Sequence, residues 1–211
     1  MTTPFVPVGP GGNFHHNAVL EYDEDDVALG LGFASAADAL IEHWQEHGPN
    51  DGHLMPILTL YRHGLELLLK GAIREAAACL RRDGDSDSAL VRETLDDWLA
   101  RHAGHSLQSL ATRLDTYLER LRLDGLPVET HEVLLTLHKL DPGGDTFRYA
   151  TTWDKSERRY ASAPRPDSTH IDVVAMGEHF TSAANLIGGG VLSVLELYRE
   201  YQAELAQDAG F

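Results

Sequence analysis

The chain has 211 residues, 43% of them hydrophobic, which is enough to bury a core and fits one domain. Asp and Glu outnumber Lys and Arg by 33 to 17, a formal charge of −16 that opposes broad, nonspecific binding to polyanions. A lone cysteine, Cys79, excludes a disulfide framework or a cysteine-based zinc site within one chain.

Residues 1 to 34 read as a mostly irregular arm, rich in Pro and Gly over its first half. The opening TTPFVPVGPGGN has neither the basic region nor the apolar run of a signal peptide. No stretch approaches the roughly 20 apolar residues that cross a bilayer, so a cytoplasmic protein is expected. His15-His16 reads as an exposed polar pair, and the acidic run Glu21 to Asp26 as a solvated face or the approach to a helix N-terminus.

A single helical domain is expected over residues 35 to 208. Its first helix spans Ser35 to His47, with Ala36, Ala39, Leu40 and Trp44 as the apolar stripe and Gly48-Pro49 as the stop. The chain is organised around the next helix, from about Pro56 to Arg82. Ile57, Tyr61, Leu65, Leu68, Ala72 and Ala76 share one of its faces, and Arg62, Glu66 and Lys70 form a charged row at i, i+4. Gly64, Gly71 and Ala78 make a thin seam where another helix can approach. Asp87 or Ser88 is expected to cap a short helix from Ala89 to Ala100, and Gly104 to break it. His105-Ser106 opens an amphipathic helix with Leu107, Leu110, Leu114, Tyr117, Leu118 and Leu121 inward. A further helix spans Val128 to Leu140, and Asp141-Pro-Gly-Gly ends it.

Thr146 to Pro164 reads differently. Phe147, Tyr149, Thr151 and Trp153 alternate ahead of a polar turn, the pattern of a β-hairpin. On such a strand Arg148 points away from the flanking aromatics, toward either a buried Glu66 or a phosphate. The last helix runs from about Ile171 to Ala206, capped by Ser168 or Thr169. Val173, Gly177, Phe180, Ala184, Ile187, Val191, Val194 and Tyr198 line one face, and Gly188-Gly189-Gly190 predicts a kink, a break or a close contact. The fold class is therefore all-α, a helical bundle with a small β-hairpin inserted before the last helix.

Three segments occur in a telling order: Tyr61-Arg62-His63-Gly64-Leu65-Glu66-Leu67-Leu68-Leu69-Lys70, Gly104-His105-Ser106-Leu107, and Asp145-Thr146-Phe147-Arg148-Tyr149. Together, across roughly residues 35 to 205, they make the chain resemble bacterial HEPN-type helical proteins (higher eukaryote and prokaryote nucleotide-binding domain). The resemblance implies an up-and-down helical bundle and frequent homodimers. In many members it also implies an RNA-cutting site used in toxin–antitoxin pairs or phage defence, while others bind nucleotides or have lost catalysis. The family's cleavage motif, Arg then four to six residues then His, is matched by Arg165-Pro-Asp-Ser-Thr-His170, with Pro166 where a polar residue is usual.

Metal-independent RNA cleavage needs a base for the 2′-hydroxyl, an acid for the leaving oxygen and a cation beside the phosphorane. Candidates are Arg62, His63, His105, Arg148, Arg165 and His170, with His131 and His138 sharing one helix face. Each has a structural alternative: a helix cap for His105, an interhelical hydrogen bond for His63, and an ion pair with Glu66 for Arg148. His43 and His47 stand four apart but lack the zinc-protease pattern between them, so neither a metal nor a cofactor is expected. The leading expectation is a HEPN-like protein of bacterial stress or phage defence acting on RNA or a nucleotide, a candidate endoribonuclease. It would be a homodimer with a cognate antitoxin or defence protein as a further partner, and no membrane. The alternatives are a noncatalytic dimeric scaffold or sensor, and a binder of a basic partner through the acidic surface.

Overall fold

The computed structural model describes residues 25–154, 156–162 and 170–208. Seven α-helices are present among them: α1 Asp26–His47, α2 Leu54–Arg82, α3 Arg92–Asp97, α4 Leu107–Arg120, α5 Val128–Leu140, α6 Val173–Asn185 and α7 Leu192–Asp208. Two short strands, β1 Thr151–Asp154 and β2 Arg159–Ser162, pair antiparallel. The all-α bundle with a small hairpin before the last helix is what the chain forms.

α2 is the axis. Sixteen of its 29 residues are buried, and α1, α4, α6 and α7 all pack against it. The face read from the periodicity is correct, since Ile57, Tyr61, Leu65, Leu68, Ala72 and Ala76 are all fully buried. Its glycines serve the contact with α1. A Cβ on Gly64 would stand 2.7 Å from the Gly30 carbonyl oxygen, and one on Gly71 2.6 Å from Val27 Cγ2. Removing the side chains lets two backbones meet, which offsets the roughly 1 kcal/mol that each mid-helix glycine costs.

α1 starts nine residues earlier than the sequence reading placed it. Asp25 is its cap, accepting from the Ala28 N–H at 2.8 Å, and Asp26 pairs with Arg74 of α2. The acidic run thus ends as a helix N-terminus, where carboxylates face the positive end of the dipole. The buried stripe is also rotated, to Gly30, Ala34, Ala37 and Ile41, leaving Ala36 and Ala39 exposed. Close packing on a glycine seam selects the small residues, a preference that apolar periodicity does not report.

Asp87 caps a 3-10 turn, Ser88–Leu90, rather than a regular helix, and α3 follows it and runs into a π-turn at Trp98–Ala103. Gly104, at φ +52, ends that element, and Ser106 caps α4 by accepting from the Ser109 N–H. The cap of α6 is Asp172, not Ser168 or Thr169, which lie outside the described residues.

α6 and α7 form one rod from Val173 to Asp208, joined by a π-turn at Leu186–Val191 that holds all three glycines. Gly188 is the close contact, since a Cβ there would meet Leu31 and Leu68 side chains at 2.8 and 2.9 Å. A π-turn puts extra residues in one turn, so the inward face shifts. Ile187 and Leu195 are buried, whereas Val194, expected inside, is 45% exposed. By length and composition alone this 36-residue rod is long and apolar enough to cross a membrane, a test that a core helix also passes; its Phe180, Ala184 and Ile187 are buried against the bundle.

Candidate functional site

Helical spacing brings Arg62 and Glu66 onto the same side of α2, and burial makes their pairing compulsory. Arg62 is 4% and Glu66 2% exposed. Arg62 Nη1 donates to Glu66 Oε2 at 3.1 Å, Nη2 to the His105 carbonyl at 2.6 Å, and Nε to the Asp141 carbonyl at 3.1 Å. Asp141 Oδ2 also stands 3.1 Å from Nε, with no well-angled hydrogen bond of its own. Arg62 therefore ties α2 to the start of α4 and the end of α5. Its guanidinium is consumed by the protein, so its place is beneath the site rather than in it.

Glu66 holds two further groups. Lys70 Nζ lies 2.7 Å from Oε1, and His105 Nδ1 lies 3.0 and 3.1 Å from the two carboxylate oxygens. Burial raises the Glu66 pKa, but hydrogen bonds and charge from Lys70 and then His105 outweigh it and hold the carboxyl below its ordinary value. The His105 side chain is half exposed, and with Nδ1 engaged, Nε2 is the ring nitrogen left for a ligand.

Arg148 reaches this place by a route the alternation pattern misjudged. It is not on the hairpin, which begins at Thr151. The Asp141 Oδ1 atom accepts from the N–H groups of Asp145 and Thr146 at 2.8 and 3.0 Å, and the Arg148 and Tyr149 N–H groups both return to the Asp145 carbonyl at 3.1 Å. The chain therefore turns here. Arg148 Nε donates to the Gly144 carbonyl at 2.5 Å, and Nη2 stands 3.4 Å from Asp145 Oδ1. The expected Arg148–Glu66 ion pair is not formed, because Glu66 is already held by Arg62, Lys70 and His105. Gly144, at φ +78, lies between the two guanidiniums; a Cβ there would be 3.1 Å from Arg62 Nη1 and 3.3 Å from Arg148 Nη2.

Arg62, His63, Glu66, Asp141, Gly144 and Arg148, with Phe33, Thr59 and Leu60, line one cavity of about 210 Å³. Phe33 from α1 meets the His63 ring edge-on at a centroid distance of 4.6 Å. Burial lowers the His63 pKa; Glu66 opposes this, while Arg148, Lys70 and His105 add to it. His63 is thus a neutral base at neutral pH, beside a cation that remains 41% exposed.

Of the sequence candidates, Arg62, His63 and Arg148 share the cavity, and His105 joins them through Glu66. His170 is exposed ahead of α6 and does not line the cavity, and Arg165 lies outside the described residues. His131 pairs with Asp115 at 2.7 Å, holding α5 to α4. His138 has a buried Nδ1 without a hydrogen bond, and burial, then Arg62, lowers its pKa. The His43 and His47 rings stack at 4.2 Å, and among the described residues no three His, Cys, Asp or Glu side chains are placed so that they could hold a metal ion. Asp141 was legible only as a helix stop. Its second role, accepting the backbone N–H groups four and five residues on, is the Asp-Pro-Gly-Gly turn chemistry that could have revealed it. No family model, curated protein or solved structure matches the chain.

Proposed function

We propose that the chain is a HEPN-like protein whose cleft acts on the phosphodiester of RNA or on a nucleotide, as a metal-independent ribonuclease of bacterial stress or phage defence. The observation that carries this reading is an exposed imidazole, His105, oriented at Nδ1 by a buried carboxylate, Glu66, next to a cavity lined by a second histidine and a solvent-reaching arginine. In the proposed reaction neutral His63 takes the 2′-hydroxyl proton as that oxygen attacks phosphorus. His105 Nε2 gives a proton to the departing 5′-oxygen, leaving a 2′,3′-cyclic phosphate. Arg148 neutralises the phosphorane oxygens, and Arg62 is a positioning residue that fixes Glu66 and thereby His105. The homodimer implied by the resemblance belongs to the same proposal.

The test is RNA cleavage by the full chain, compared with Arg148→Ala. Loss of cleavage by roughly a hundredfold or more with an unchanged melting temperature is expected. A second reading, a noncatalytic dimeric scaffold or sensor, is favoured by one feature: Arg62, Glu66 and Lys70 already satisfy one another in the core. Dimers by light scattering, with no change in any RNA or nucleotide offered, would support that reading instead.

A further inference from the structure

α7 carries a face that the bundle does not use. The π-turn sends Leu195 inward, and Val194, Leu197, Tyr201 and Leu205 outward at 45, 64, 57 and 50% exposure. Their spacing of three and four residues makes one continuous stripe. At its head, a Cβ on Gly189 would meet nothing within 4 Å, and one on Gly190 only its own Leu186 at 3.4 Å. Internal packing demands Gly188 but not these two, so bare helix backbone is left open to a close neighbour.

Beside the apolar row runs an acidic one, Glu196, Glu200 and Glu204, at i, i+4. Like charges at that spacing weaken a helix. Glu196 is met by Arg199 at 3.4 Å, but among the described residues Glu200 and Glu204 have no ion-pair partner.

We propose that α7 is a docking face for an amphipathic helix with a basic flank. Its apolar residues would lie along Leu197, Tyr201 and Leu205, and its Lys or Arg along Glu200 and Glu204. Charge selects this occupant over a second copy. α7 has one cation, Arg199, already engaged by Glu75 and Glu196, so a second α7 laid along this one would bring the same carboxylates and no free cation of its own. The inference is independent of the cleft.

The test uses the full chain and two labelled helical peptides of roughly 18 residues, long enough to hold a helix when docked. One is a Leu/Lys amphipath; the other has Glu in place of Lys. Fluorescence anisotropy should show the Leu/Lys peptide binding roughly tenfold or more tighter, with affinity falling as salt rises. Glu200→Lys/Glu204→Lys should reverse the preference, Leu197→Ala/Tyr201→Ala should weaken binding, and Glu42→Lys/Glu46→Lys on exposed α1 should change little. Both altered rows are solvent-facing, so melting temperatures should hold. If the α1 swap weakens binding as much as the α7 swap, the attraction is nonspecific and the proposal fails. It fails equally if light scattering shows a dimer that Leu197→Ala/Tyr201→Ala dissolves.

Discussion

Two arginines a few ångströms apart do opposite work. Arg62 is enclosed, and its removal takes one cation from Glu66 and leaves Asp141 without its charge partner, both carboxylates being nearly free of solvent, so Arg62→Ala should destabilise the protein by about 3–5 kcal/mol in chemical denaturation. Arg148 is 41% exposed, and Arg148→Ala should change stability by no more than about 0.5 kcal/mol. Equal losses in the two variants would mean that Arg148 is structural too. The histidines set a pH dependence. His63 and His138 titrate near 6.5 when unfolded and lower when folded. Between those values the unfolded chain holds protons that the folded one refuses, so stability is complete above pH 6.5 and declines as pH falls below it. Glu66, also depressed, adds a further loss below its unfolded value of 4.5. Melting temperature measured against pH should therefore drop on the acid side, and Phe33→Ala, which uncovers His63, should flatten the first part of that drop.

The elements were legible where periodicity and turn chemistry agree. α2, α4 and α5 follow from apolar spacing, from His105-Ser106 as the opening of α4 and from Asp141-Pro-Gly-Gly as the stop of α5. Where the structure departs from the reading, the cause lies outside local pattern. α1 extends to Asp26 because Gly64 and Gly71 of a distant segment admit it, and α7 turns because a π-turn shifts the register. Packing at a glycine is testable at two positions. Gly64→Ala places a Cβ against the Gly30 carbonyl and should cost about 1–3 kcal/mol. Gly189→Ala has open space and should gain up to about 1 kcal/mol. A stable Gly64→Ala protein would contradict the close α1–α2 contact.

For the molecule as a whole, the formal charge is −16, and the ion network of Arg62, Glu66 and Asp141, with Lys70 at its edge, is buried at the meeting of α2, α4 and the turn after α5. The sequence showed the charged row on α2 and the histidine ahead of α4, and their convergence was a reasonable expectation. It could not show that Arg62 is spent on the scaffold, since that depends on which carbonyls the fold delivers to it. Nor could it show that Arg148 rides a turn organised by Asp141. The proposed cleavage requires the cleft to be open to a phosphate ester at His63, His105 and Arg148 together. The most direct measurement is the NMR titration of the histidine ring resonances with a 2′,3′-cyclic nucleotide. His63 and His105 should shift together in one saturable transition, weakened roughly tenfold in Arg148→Ala. Shifts confined to outlying rings such as His170, or the same affinity without Arg148, would contradict it.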